Sequence, residues 1–269
     1  MNTKVLRHDG RACDQLREIN VSYNVFGYAP GNVLFELGNT KVLCSVMLQR
    51  GVPPFLKGKK TGWLTAEYSM LPTSTSTRSV REGVTRRCNG RSVEISRLLG
   101  RSLRSIVDLS VFGEQTITVD CDVLQADGGT RTAAITGAYL ALKAAESQWI
   151  QQEIVPINGF VKQAIAAISV GVVDGQPLLD LDCDEDNCAE ADFNFVLTQQ
   201  GDVIEVQGTA EKFPLSWDAY QQVQKLAREG IAQLITFCDQ KGKKTVLPKK
   251  DKSQKSPLFS LERRVSIQK

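Results

Sequence analysis

The stretch TITVDCDVLQADGGTRTAAITGA, residues 116–138, decides the fold. Its first half belongs to an alternating apolar run over 115–125, which predicts a β-strand. Its second half leads into residues 132–151, where apolar side chains recur at helical spacing and predict an amphipathic helix. Gly128 and Gly129 let the backbone turn tightly between the two. We therefore expect a strand that passes through a glycine turn directly into a helix.

The glycine turn is a candidate phosphate site. Backbone amides at the N-terminus of a helix have no partner within the helix and can point at an anion. Thr130 adds a hydroxyl, and Arg131 adds a planar set of donors suited to bidentate contact with phosphate. The alternative is a plain strand-to-helix connection with a surface arginine, because glycine-rich turns before helices are common.

Other apolar segments bounded by turn residues predict further short strands. They cover 32–48 with a turn at Gly38-Asn39, 166–173, 176–183 and 193–208. Helical spacing predicts two more helices, over 92–109 and 217–237. Hairpins interleaved with helices favour an α+β domain with mixed or antiparallel sheets, in the order ββ-α-β-α and then ββ-ββ-α. We expect this domain to occupy residues 1–238.

Composition indicates a globular protein of the cytoplasm. The 269 residues are 42% hydrophobic, yet they contain no run of about 18 apolar residues, which excludes a membrane-spanning helix. The N-terminal residues lack the apolar core of a secretory signal. The seven cysteines are scattered and form no CxxC pair, so we expect reduced thiols and no zinc site.

Positive charge is concentrated at the C-terminus. Residues 239–269 carry ten lysines or arginines and three acidic residues, whereas residues 1–238 carry 23 basic and 27 acidic side chains. This tail is poor in apolar residues and is expected to be disordered on its own. It is either an arm that attracts polyanions such as RNA or a solubilising extension.

A second basic region precedes the helix predicted over 92–109. Arg91 lies at the start of that helix, where it would form a second lobe of the anion site or part of a groove for RNA. The upstream arginines that would join it are Arg78, Arg81, Arg86 and Arg87. The alternative is a solvated basic loop.

Seven carboxylates fall within the thirteen residues 180–192. Such crowding is usually offset by a bound cation or a proton, which predicts a magnesium site; the alternative is an acidic solvated loop. His8 is the only histidine, so a Ser-His-Asp site has no support. Two arginine-bearing anion sites beside a carboxylate cluster favour phosphoryl transfer, which depends mainly on positioning and charge stabilisation.

The chain resembles ribonuclease PH over nearly all of residues 1–238. The matching segments are DGRACDQLRE, GNTKVLCS, GWLTAEYSMLP, GRSVEISRLLGRSLRSIVDL, TITVDCDVLQADGGTRTAAITGA and EDNCAEADFNFVLTQQGDVIEVQGTAE. The resemblance implies a ribosomal-protein-S5-like α+β fold with mixed sheets and packed helices, assembled as a homo-hexameric ring of dimers. It also implies trimming of the 3′ ends of tRNA precursors by phosphorolysis, with inorganic phosphate as co-substrate and magnesium as cofactor.

The resemblance also assigns roles to residues by their position in these motifs. It implies that phosphate is bound by Arg91, Gly129, Thr130 and Arg131, and that the catalytic or metal-binding pair is Asp186 and Asp192. Phosphate would lie in line with the last phosphodiester, and magnesium would activate the scissile phosphate and stabilise the departing 3′ oxygen. General acid catalysis by Asp186 is the alternative role for that residue.

Two departures from the family pattern bear on RNA binding. Where the family usually has Arg-Ala/Ser-Thr-His-Thr-Arg, this chain has TSTSTR over 73–78, so Thr73 and Ser76 replace an arginine and the histidine. Before Gly90 the family's Gly-Lys-Gln is replaced by Arg-Cys-Asn. These changes put RNA binding and ring contacts in question and leave the phosphate and acidic residues intact.

Two other functions remain to be distinguished. A noncatalytic RNA-binding ring subunit of an exosome-like assembly would be expected to lack the phosphate arginines or the acidic pair, and here all of them are present. A hydrolytic, metal-dependent nuclease would use water and need no phosphate site, although both arginine sites could then bind RNA phosphates.

Overall fold

The computed structural model describes residues 7–81 and 89–242. Within these residues the chain forms nine strands and four α-helices. In chain order they are β1 (Ile19–Tyr23), β2 (Gly31–Leu37), β3 (Thr40–Arg50), β4 (Trp63–Met70), α1 (Gly90–Arg104), β5 (Gln115–Gln125), α2 (Thr130–Gln151), β6 (Ile165–Val173), β7 (Gln176–Leu179), α3 (Cys183–Cys188), β8 (Ala191–Thr198), β9 (Val203–Ala210) and α4 (Trp217–Gly242).

The strands form two sheets. The first has the order β1-β2-β3-β5-β4 and is antiparallel except for the parallel pair β4 and β5. The second has the order β7-β6-β8-β9 and is antiparallel throughout. The predicted α+β class with mixed sheets and packed helices is therefore confirmed.

Helix α2 is enclosed between the two sheets. It packs against β2, β3 and β5 on one side and against β6 and β8 on the other, so almost every face is buried. The prediction that this helix is amphipathic was wrong, because a helix covered by two sheets has no solvent side to carry polar residues. Small side chains permit this close approach; those fully or almost fully buried include Ala133, Ala134, Ala138, Ala141 and Ala145.

The remaining helices cover the outside of this arrangement. Helix α1 packs on β4 and α2, and α4 packs on β6, β7 and β8. No helix among the described residues is long and apolar enough to span a bilayer.

Five elements differ from the sequence prediction. The helix predicted to end at residue 109 ends at Arg104, because Val107 leaves it to form a bridge with Val161. Strands β1 and β4 and helix α3 were not predicted. Helix α4 continues to Gly242, four residues into the segment taken as the tail, and the rest of that segment lies outside the described residues.

The contact between β2 and α2 gives a stability prediction. A Cβ atom on Gly31 would lie 2.0 Å from the carbonyl oxygen of Ala141 and 2.5 Å from the amide nitrogen of Ala145, and both are helix backbone atoms. Gly31→Ala should therefore lower the free energy of unfolding by about 3 kcal/mol. Gly27→Ala is the matched control, since nothing lies within 4 Å of its Cβ position. Equal urea midpoints for the two variants would contradict the packing described for α2.

Candidate active site

The glycine turn predicted as a phosphate site adopts a conformation that requires glycine. Gly128 and Gly129 have φ angles of +73° and +64°, in the left-handed region. A Cβ atom on Gly128 would also lie 2.5 Å from the carbonyl oxygen of Leu181. Helix α2 begins directly afterwards at Thr130, so its unpaired amides lie at the end of β5.

Thr130 is held by a side chain that the sequence did not indicate. The hydroxyl of Tyr68, on β4, donates a hydrogen bond of 2.9 Å to Oγ1 of Thr130. The hydrogen of the Thr130 hydroxyl is then available to donate to an anion. Burial raises the pKa of Tyr68, which keeps its phenol protonated as the donor, while the charges of Arg91 and Arg131 act in the opposite direction.

Arg131 is oriented by two further elements. Its Nη1 donates to Oε1 of Gln207, on β9, at 2.6 Å and lies 3.4 Å from Oε2 of Glu94, on α1. Nε2 of Gln207 in turn donates to Glu94 at 2.9 Å. Sequence analysis missed both partners: Glu94 lies three positions after Arg91 on one helix and could have been inferred, but nothing local identifies Gln207.

Arg91 lies at the start of α1, as predicted. The Asn89 side chain caps this helix by accepting a hydrogen bond of 3.1 Å from the backbone amide of Arg91. The positive charges of Arg91 and Arg131 both favour the ionised form of Asp186. The starts of α1 and α2 therefore present their arginines to the same carboxylate.

The acidic segment forms a short helix between two strands. Asp182 and Glu185 make a capping box at the start of α3, and Asp186 follows on the same helix. Asp192 lies at the start of β8, where burial, and next the charge of Asp186, raise its pKa to about 6. Burial also raises the pKa of Asp186. Asp186 therefore lies close enough to Asp192 for its charge to disfavour ionisation of that carboxyl.

Three of the other carboxylates are neutralised elsewhere. Asp180 and Glu185 pair with Arg17 and Arg7, and Asp182 is bonded to His8 at 2.8 Å. His8, Asp182 and Glu185 lie close enough to be considered as metal ligands, but the oxygens of Glu185 accept hydrogen bonds from Arg7. This cluster therefore stabilises the start of α3. The cation site remains predicted at Asp186 and Asp192.

The predicted RNA-binding arginines divide into two groups. Arg78 is exposed in the loop after β4. Arg81 lies close enough to Asp122, on β5, for its charge to lower the pKa of that carboxyl, although burial raises the same pKa by more. The carbonyl of Ser74 accepts a hydrogen bond of 2.8 Å from the amide of Ala126, which ties this loop to the end of β5 beside the glycine turn. Arg86 and Arg87 lie outside the described residues.

Comparison with known proteins identifies the family. Domain 1 of the 3′ exoribonuclease family matches residues 15–148, and domain 2 of that family matches residues 163–230. Ribonuclease PH of Neisseria meningitidis serogroup B is 49% identical over 225 residues, which cover 84% of this chain and 93% of the relative. Ribonuclease PH of Syntrophomonas wolfei is 50% identical over 234 residues, which cover 86% and 96%.

Solved structures share the fold at much lower identity. Rice (Oryza sativa) Rrp46 aligns with a TM-score of 0.71 at 21% identity, over 88% of this chain and 100% of that one. A chain of the Archaeoglobus fulgidus exosome with RNA bound to the active site aligns with a TM-score of 0.72 at 20% identity, over 86% and 92%.

The chain belongs to the 3′ exoribonuclease family. Its similarity to the ribonuclease PH relatives over most of the chain identifies its activity as that of a phosphorolytic 3′ exoribonuclease, which uses inorganic phosphate.

The raised pKa of Asp192 predicts a pH-dependent cost in stability. The pKa of Asp192 is about 6 in the folded protein, above the ordinary value of 3.8. The native state therefore loses stability as pH rises above about 4, and the loss is complete above about 6. Asp192→Asn should therefore stabilise the metal-free protein at pH 8, by up to about 3 kcal/mol, and have little effect at pH 4. Denaturant unfolding in a chelating buffer measures this, with Asp202→Asn at the exposed β8–β9 turn as control. An equal effect at both pH values would contradict the assignment.

Proposed function

We propose that this enzyme trims the 3′ ends of tRNA precursors in the cytoplasm, with inorganic phosphate bound at the start of α2 and magnesium held by Asp186 and Asp192. The observation that carries the proposal is the convergence of two helix N-termini, each with an arginine, on Asp186, whose charge in turn raises the pKa of Asp192. Such a site can hold two phosphates and a cation together, as transfer of a phosphoryl group to phosphate requires.

In the proposed mechanism, the attacking phosphate lies against the Gly129 turn. The free amides of α2, the Thr130 hydroxyl and the guanidinium of Arg131 donate to its oxygens and orient one of them in line with the last phosphodiester. Arg91 neutralises charge on the attacking phosphate or on the RNA. The nucleophile is phosphate itself, so no side chain of the protein needs to form a covalent intermediate.

The acidic pair fits a divalent cation. Carboxylate oxygens are the ligands that Mg²⁺ prefers. Burial raises the pKa of both residues, the charge of Asp186 raises that of Asp192 further, and a bound cation would offset the cost of ionising them. When bound, magnesium would supply charge stabilisation at the scissile phosphate and at the departing 3′ oxygen. Asn194 donates to Oδ2 of Asp192 at 3.3 Å and orients that carboxylate.

The substrate and assembly are proposed from the relatives and from charge. The loop that carries Arg78 and Arg81 reaches the end of β5 next to the glycine turn, which suits a path for the RNA backbone. A homo-hexameric ring of dimers would place several such paths side by side.

The test of this function is an incubation with magnesium and a 3′-extended tRNA, with and without inorganic phosphate. Nucleoside diphosphates that appear only with phosphate support the proposal. Monophosphates released without phosphate would instead indicate hydrolysis. Binding with no release under either condition would indicate a noncatalytic ring subunit.

Arg131→Ala should raise the KM for phosphate about tenfold or more, because a charged donor to the phosphate is lost. The measurement is initial rate against phosphate concentration at saturating RNA. Arg50→Ala is the control, since Arg50 is exposed at the opposite end of β3, beside Gln115. A phosphate KM that Arg131→Ala leaves unchanged would place the nucleophile elsewhere.

Removing residues 243–269 should weaken RNA binding mainly at low salt and reduce the slope of log affinity against log salt, because nine lysines and arginines are lost. A full-length variant with the six lysines over 243–255 changed to glutamine separates charge from length. If both proteins keep the wild-type slope, the tail has no electrostatic role in RNA binding.

A further inference from the structure

The glycine turn is attached to a buried ion pair. The backbone amide and Nε of Arg17 donate to Oδ2 of Asp180 at 2.9 and 3.0 Å, and Nη2 donates to Oδ1 at 2.7 Å. Asp180 is fully buried and has a φ of +55°, which is costly for a residue other than glycine. The hydrogen bonds from Nε and Nη2 to the two carboxylate oxygens of Asp180 hold the Arg17 guanidinium in one orientation.

The free side of that guanidinium faces the turn. Arg17 donates to the carbonyl of Asp127 and, at 3.5 Å, to the carbonyl of Gly128. The hydroxyl of Thr40, which is fully buried, donates to the same Gly128 carbonyl at 2.7 Å and accepts from the Asp127 amide at 3.0 Å. Both carbonyls that precede the proposed phosphate site are thereby fixed.

Fixing these carbonyls also fixes two amides. In a planar trans peptide the N–H points opposite to the C=O. The Asp127 carbonyl therefore sets the direction of the Gly128 amide, and the Gly128 carbonyl sets that of the Gly129 amide. Both N–H groups are directed away from Arg17 and Thr40 at the start of α2, where an anion would bind.

We infer that Arg17, anchored by Asp180, and Thr40 are positioning residues for inorganic phosphate. They act through the glycine turn, by aiming its amides and by fixing where α2 begins, and they touch no reacting atom. This inference rests on the proposed function, because it assigns the phosphate to that turn.

The same network contains a matched control. Arg7 is equally buried, and it donates to Glu185 and to the carbonyls of Leu179 and Asp180 at 2.6 and 3.0 Å. Its guanidinium donates to Glu185 and to the carbonyls of Gln15, Leu179 and Asp180 rather than to the glycine turn, so Arg7 supports α3 rather than the phosphate site. A variant of Arg7 therefore loosens the network without releasing the turn.

The experiment compares Arg17→Lys, Thr40→Val and Arg7→Lys. The phosphate KM, the RNA KM, kcat and the melting temperature are measured for each full-length protein, and phosphate binding is measured separately by calorimetry. Arg17→Lys and Thr40→Val should raise the phosphate KM and Kd about five- to tenfold and leave the RNA KM within about twofold. Arg7→Lys should lower the melting temperature with little change in either phosphate constant.

Two results would overturn the inference: an unchanged phosphate Kd in folded Arg17→Lys and Thr40→Val, or an equal rise in Arg7→Lys. If Arg17→Lys does not fold, Thr40→Val decides, because it removes two hydrogen bonds to the turn and no charge. A wild-type protein that binds phosphate but releases no diphosphates would refute the proposed function and leave the binding comparison valid. A wild-type protein that binds no phosphate would refute both.

Discussion

The enclosure of α2 between two sheets is the constraint on which the rest of the structure depends. A helix buried on nearly all sides cannot shift along its axis without disturbing both sheets, because packed interiors have little free volume. Its first turn is therefore fixed relative to β5, which leads into it, and to β9, whose Gln207 meets Arg131. The position of the proposed phosphate site follows from core packing rather than from the loop around it.

The buried ion pairs divide one acidic segment into two functions. Arginines from the N-terminal residues neutralise Asp180 and Glu185, which anchors the start of α3 and the glycine turn. Asp186 and Asp192 remain as carboxylates whose pKa is raised by burial and, for Asp192, next by the charge of Asp186. The ionised forms of these two carboxylates are therefore disfavoured in the fold, and a bound cation would offset that cost.

Sequence patterns were sufficient where the chemistry is local. Gly128, Gly129 and the start of α2 could be predicted because a glycine turn before a helix has a distinctive pattern, and the hairpins could be predicted from alternation. Tyr68, Gln207 and the arginines that pair with the acidic segment could not, because they are distant in the chain and meet only through tertiary packing. Helix α2 was misjudged for the same reason: its pattern does not show that a second sheet covers it.

The geometry also bears on why phosphate rather than water would serve as the nucleophile. A phosphate nucleophile carries negative charge, so, unlike water, it must be bound against the repulsion of the RNA phosphate beside it. The start of α2 supplies fixed amides and Arg131, and the start of α1 supplies Arg91, so positive charge reaches the site from two independent helices. The carbonyls of the glycine turn are held by a buried arginine and a buried threonine, which keeps the turn's amides fixed. That rigidity is explained when the turn has an anion of its own to bind.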